Sequence, residues 1–186
     1  MNLLALIGWS GTLLYLLNHA YISLAPNWKS TIYYGGNLIA ALCLVLTSAV
    51  AQSWQAVVIN SFWAIISVLL LANISLKNAP FTQPLFNSGI ALLWLWLATQ
   101  SLFSGAVDLT ILGWSSAYVF SFAYLLFSAG RMAQRHYLLW NAYAALALLP
   151  QLWIDQNLPV FALEIAWACL SVYGAARRYS EIRLID

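Results

Sequence analysis

The sequence predicts an all-α, polytopic membrane protein with seven transmembrane helices, arranged as two parallel three-helix repeats joined by a linker helix. Three observations carry that prediction. The 186-residue chain is 63% hydrophobic and 6% charged, with a mean hydropathy of +0.82, whereas a soluble domain carries about 25% charged residues. Its apolar residues fall into seven runs near the roughly 20 residues that cross a bilayer. Short motifs from the first three runs return, in order, in the last three.

The spans follow from the breaks between the runs. The first is Leu3–Leu24, closed by "APNWKS". No Lys or Arg precedes its apolar core, and it is longer than a secretory signal's core of about 7–15 residues, so it is expected to stay as a span. The second is Ser30–Val50 and, after "AQSW", the third is Gln55–Leu76. "KNAP" precedes the fourth, Phe81–Phe103. The last three are Leu109–Gly130, Arg135–Ile154 and Pro159–Arg177. The expected organisation is residues 1–76 as the first repeat, 77–107 as linker and fourth helix, 108–178 as the second repeat and 179–186 as a cytoplasmic tail. What remains outside the spans is too short for a soluble domain.

Charge predicts orientation. With seven spans, Lys29, Lys77, Arg131, Arg135, Arg177, Arg178 and Arg183 all fall on the side of the C-terminus, while the opposite loops hold Asp108 and Asp155. Basic residues flanking spans stay in the cytoplasm, which places the N-terminus outside and the C-terminus inside. The expected location is a cell membrane, in a bacterium the inner membrane. The net charge of +2 is too small to indicate nucleic acid. Cys43 and Cys169 lie in apolar runs and are expected to act as small buried hydrophobes. No metal-ligand spacing, nucleotide loop or Ser/His/Asp set points to an enzyme or a cofactor. The sequence leaves room for a homo-oligomer.

The repeat is read from its rarer letters. "LIGWSGTLLYLL" (6–17) returns as "ILGWSSAYVFSF" (111–122), matching Gly8, Trp9 and Ser10 to Gly113, Trp114 and Ser115. "GGNLIAALCL" (35–44) returns as "LWNAYAALAL" (139–148), where Asn37 meets Asn141 at a displacement of 141 − 37 = 104. "VVINSFWAIISV" (57–68) returns as "FALEIAWACLSV" (161–172) at the same displacement, aligning Asn60 with Glu164, Trp63 with Trp167 and Ser67 with Ser171. A three-span unit is odd, so a single span between two copies makes them parallel about an axis along the membrane normal.

This layout resembles the SWEET, SemiSWEET and PQ-loop transporter superfamily, and also the nicotinamide riboside transporters and the KDEL receptor, which share the scaffold. "GWSGTLLY" (8–15) and "AVVINSFWAIIS" (56–67) are similar to motifs of small uncharacterised bacterial integral membrane proteins of that superfamily. In SWEET-type transporters a polar residue on the third helix of each unit contacts substrate, and Asn60 and Glu164 match it. The resemblance implies transport of a small polar solute, a sugar, a nucleoside-like compound or an amino acid. Two departures stand out. The Pro-Gln pair of PQ-loop proteins is missing, and Glu164 replaces a neutral residue.

Glu164 lies about five residues into the last span, roughly 8 Å deep at 1.5 Å per residue. An acid at that depth normally faces a bundle interior or a wet cavity, so Glu164 is the first candidate for substrate binding and proton coupling. Asn60 is expected opposite it. Trp63 and Trp167 follow three residues later on the same faces, placed to sandwich a flat or pyranose-like solute. Asn37 and Asn141 are further binding candidates, although Asn in a bundle also bonds between helices. His19 is a second candidate for proton coupling. The expected function is a membrane transporter with the lipid bilayer and a small polar solute as partners; the alternative is a receptor, sensor or assembly partner on the same scaffold. The charge argument makes one outcome testable: a reporter fused after Asp186 should be cytoplasmic, and an extracytoplasmic signal would overturn the orientation.

Overall fold

A computed structural model describes residues 3–183, with side chains through Arg177. It contains seven helices: α1 (Leu3–Leu24), α2 (Ser30–Val50), α3 (Trp54–Leu71), α4 (Gln83–Ser104), α5 (Leu109–Ser128), α6 (Gln134–Ile154) and α7 (Leu158–Arg183). All but α6 are both long and apolar enough to cross a membrane. α6 has the length, but Arg135, His136, Asn141 and Gln151 dilute its apolarity. Outward faces carry side chains such as Leu3, Leu102 and Phe103, the last 86% exposed. Apolar surface on that scale suits hydrocarbon rather than water.

The helix ends follow local chemistry. Asp108 caps α5, its Oδ1 accepting from the backbone N–H groups of Thr110 and Ile111 at 3.0 Å each, so this acid has a structural task. Gln52, Asn73 and Gln156 hold left-handed backbone, with φ of 56°, 59° and 54°. That conformation costs a residue with a side chain roughly 1–2 kcal/mol, and here it reverses the chain after α2, α3 and α6. At each, the following N–H bonds back five residues: Ser53 to Ser48, Ile74 to Leu69, and Asn157 to Leu152, satisfying carbonyls the helix end would orphan. Asn73 thereby ends α3 at Leu71 rather than at the expected Leu76. The segment that follows is held by Arg131, whose guanidinium donates to the carbonyls of Lys77, Ala79 and Phe81. α7 continues to Arg183 rather than stopping at Arg177, so most of the expected tail is helical; residues 184–186 and the side chains of Arg178 and Arg183 lie outside the described residues.

Packing links α1 to α2, α2 to α3, α5 to α6 and α6 to α7. Two further contacts join these groups, α1 with α7 and α3 with α5, while α4 packs chiefly on α5. Small buried residues occupy equal positions in α2 and α6: Ala40 and Ala41, and Ala144 and Ala145. At one end of the bundle, Ser53 Oγ donates to Asp155 Oδ2 at 2.7 Å and Asn157 Nδ2 to Ser48 Oγ at 3.0 Å, tying the α2–α3 turn to the α6–α7 turn. At the other end, Gln134 Nε2 donates to the carbonyl of Ile22 at 2.7 Å. Cys169 departs from expectation: it is exposed, because α7 turns it away from α1 and α6, and Cys43 is only half-buried.

α1 and α2 approach closely at Gly11, where an added Cβ would lie 2.7 Å from Cys43 Cβ and 3.3 Å from the Ala40 carbonyl oxygen. Gly11→Ala should destabilise the protein by about 1–3 kcal/mol. Gly35→Ala is the matched control, since its Cβ would meet nothing within 4 Å; removing a helical glycine there should be neutral or stabilising by up to ~1 kcal/mol. Thermal unfolding of both variants in detergent checks the pair.

Candidate functional site

The first turns of α3 and α7 bring the predicted polar pair together. Asn60 and Glu164 each lie six residues from the start of their helix, about 9 Å along its axis, and Trp63 and Trp167 about 13 Å. All four line one cavity, with Tyr15 of α1 and Phe120 of α5 completing an aromatic wall and Ile59 and Leu163 among the aliphatic ones. Its free volume is about 20 Å³, room for one group the size of a water molecule. Glu164 and Asn60 are 6% and 5% exposed.

Hydrogen bonding inside the cavity is uneven. Asn60 Nδ2 donates to the Ala56 carbonyl at 2.8 Å, one turn back on its own helix. Trp63 Nε1 donates to the Phe120 carbonyl at 3.4 Å and Trp167 Nε1 to Asn141 Oδ1 at 2.9 Å. Glu164 Oε2 and Tyr15 Oη are buried with no hydrogen-bond partner. Most N–H donors of the lining are therefore engaged, while Glu164 Oε2 and Tyr15 Oη are uncommitted. Burying such a group unpaired costs roughly 1–3 kcal/mol, so something in the protein's working cycle is expected to meet it.

The aromatic residues form a nearly two-fold arrangement. Trp63 and Trp167 stand at 65° with centroids 5.4 Å apart. Tyr15 meets them at 88° and 89°, and Phe120 at 78° and 81°. Tyr124 stacks flat on Trp63 at 4.2 Å, and His19 stacks flat on Trp167 at 3.7 Å. Tyr124 Oη pairs with Ser67 Oγ at 3.0 Å, as His19 Nε2 pairs with Ser171 Oγ at 2.8 Å. The expected slot between two parallel indoles is therefore absent. The indoles meet at an angle, and each has one face already covered by a ring from α5 or α1.

The remaining candidates sit away from the cavity lining. Asn37 accepts from Asn18 Nδ2 at 2.6 Å and donates to Tyr124 Oη at 3.0 Å. Asn141 donates to the Tyr137 carbonyl at 2.7 Å and holds the Trp167 indole. Both are fully buried, and both position aromatic residues. Tyr33 and Tyr137, 104 residues apart, pair hydroxyl to hydroxyl at 3.0 Å beneath them. His19 is likewise fully buried, and reaches the cavity only through Trp167. Tyr15, Phe120 and Tyr124 were not expected at the site. The displacement pointed to them, since Tyr15 and Phe120, and His19 and Tyr124, are each 105 positions apart, but their letters differ. Among the described residues no cluster of His, Cys, Asp or Glu could hold a metal ion.

The sequence profile of an uncharacterised family matches residues 4–78 and 109–182. No curated protein matches the chain, and no solved structure does. The two matched segments are displaced by 109 − 4 = 105 residues at their starts and 182 − 78 = 104 at their ends, the same displacement that pairs the aromatic residues. Tyr124→Phe removes the hydroxyl that serves both Asn37 and Ser67. It should cost about 1–2 kcal/mol in thermal unfolding, while the isosteric change at Tyr173, which is 58% exposed, should leave stability within ~0.5 kcal/mol.

Proposed function

Since the chain belongs to an uncharacterised family, its role rests on the site, and we propose that it is a membrane transporter moving a small polar solute through a cavity between two parallel three-helix repeats. One observation carries the reading: polar and aromatic side chains from α3 and α7, equivalent by the displacement, converge on one cavity whose acid has an unengaged oxygen. A buried ionisable group inside a bilayer is a functional site by default. α1–α3 and α5–α7 form the repeats in this reading, α4 links them, and α6 is the sixth of seven spans, packed against α5 and α7. The contacts α1–α7 and α5–α3 are then the same interface seen twice. The charge distribution sets the N-terminus outside.

The same geometry suggests how access alternates. Toward the α2–α3 and α6–α7 turns, the cavity lies beneath the Ser53–Asp155 and Asn157–Ser48 bonds. Toward the other end, the indoles rest on the Asn37–Tyr124 bond and the Tyr33–Tyr137 pair. Both sets of bonds are formed in this conformation. Rocking one repeat against the other about the central rings opens one set of bonds while the second holds. The small cavity with hydrogen-bonded barriers on both sides also suits a receptor that closes over its ligand, which is the second reading.

Flux into proteoliposomes separates them. A panel of sugars, nucleosides, amino acids and amines should include a solute whose uptake requires the protein. Glu164→Gln should lower that uptake at least about tenfold, a loss of ~1.4 kcal/mol in transition-state stabilisation, with thermal stability close to the parent. Undiminished uptake in this variant would remove Glu164 from the mechanism, and binding without flux would favour the receptor.

A further inference from the structure

We propose that the cavity recognises the primary ammonium group of a small organic amine; this deepens the reading of the cavity as a solute site. The argument starts from what the lining can offer. Most of its N–H donors are already engaged: one of the two on Asn60 Nδ2 with Ala56, Trp63 Nε1 with Phe120 and Trp167 Nε1 with Asn141. No Lys, Arg or His lines it. A carboxylate or phosphate solute would find no counter-charge there. A sugar needs donors as well as acceptors and, beside an ionised Glu164, would find only the Tyr15 hydroxyl and the second N–H of Asn60.

What the lining has left is chiefly oxygen. Glu164 Oε2 and Tyr15 Oη are buried and unengaged, and Asn60, whose nitrogen is held on Ala56, has its carbonyl oxygen to give. A primary ammonium carries three N–H donors and no acceptor, which complements three oxygens. It also brings the positive charge that a carboxylate buried at this depth requires. The four rings add to the preference, because a cation near an aromatic face is attracted by the ring's quadrupole. Size decides between kinds of ammonium. The free volume of about 20 Å³ takes one water-sized group, which –NH₃⁺ matches, whereas a quaternary ammonium is several-fold larger and has no N–H to donate. The rest of the amine would extend along the cavity as the barriers part.

Calorimetric titration of the protein in lipid nanodiscs at constant ionic strength tests this, with methylammonium as the probe and tetramethylammonium and methanol as comparators. Methylammonium should bind saturably, and both comparators at least about tenfold more weakly. Glu164→Gln should weaken methylammonium at least about tenfold, the loss expected for a hydrogen bond to a charged group. Tyr15→Phe, which removes one hydroxyl and keeps the ring, should weaken it several-fold and serves alone if the Gln variant fails to fold. Absence of methylammonium binding, equal binding of tetramethylammonium, or unaltered affinity in the folded variants would each overturn the proposal. Flux distinguishes it from the reading beneath it. Methylammonium binding without uptake by proteoliposomes overturns transport and leaves the ammonium site standing. Protein-dependent uptake of a sugar or amino acid that excess methylammonium does not inhibit overturns the ammonium site and leaves transport standing.

Discussion

Hydrocarbon gives a polar side chain no solvent partner, so a hydroxyl, amide or imidazole placed between helices is costly unless it finds one on the protein. Most of the interior can be understood from that demand. Asn18 reaches the carbonyl of Tyr33 and the amide of Asn37, Asn37 reaches Tyr124, and Tyr124 reaches Ser67. Each bond is modest by itself, ~0.6–2 kcal/mol in a membrane setting, yet together they fix the rotation of α1, α2, α3 and α5 against one another. Ser116 and Gln134 do the same for their neighbours, donating to the carbonyls of Ala144 and Ile22. Of the buried side-chain atoms left without a partner, Glu164 Oε2 and Tyr15 Oη lie in the cavity, while His19 Nδ1, Ser23 Oγ, Ser121 Oγ and Ser128 Oγ lie elsewhere.

Much of the architecture was legible in the sequence, because hydrophobic run length is a direct consequence of bilayer thickness. α1 and α2 have the expected bounds, and the other helices begin within two residues of expectation. The ends went astray where a single residue decides them. Nothing in "LLLANISLKNAP" separates a helix running to Leu76 from one turned back at Asn73, since Asn tolerates both backbones. The end of α7 was set too early because the apolar run stops at Arg177, whereas the helix continues through "YSEIR" to Arg183. α6 shows the limit of hydropathy itself, since it is placed among the other helices although its letters are less apolar.

At the site, sequence and structure agree on which residues of α3 and α7 meet, and differ on how. Displacement matching found Asn60, Glu164, Trp63 and Trp167 because equal letters recur. It passed over Tyr15 with Phe120 and His19 with Tyr124, where position is kept and chemistry changes. Ring orientation was illegible for a related reason. Whether two indoles face each other depends on what else lies against them, and here Tyr124 and His19 occupy the faces that a sandwich would need. Asn37 and Asn141 were drawn toward the site by their letters alone. Neither lines the cavity: Asn37 bonds to Asn18 and Tyr124, and Asn141 to Tyr137 and Trp167.

Asn60 and Glu164 occupy matching places near the centre but differ by one negative charge. A homodimer of a single three-helix module could not arrange this, because any acid introduced on one subunit appears on both, and two carboxylates facing each other in oil repel strongly. Covalent fusion removes the obligation to be symmetric. Once both halves sit on one polypeptide, a lone anion can be held near the axis with an amide opposite, and a monovalent cation can be matched one for one. The linker helix α4, which contributes little to the interior, would then have its main effect on stoichiometry.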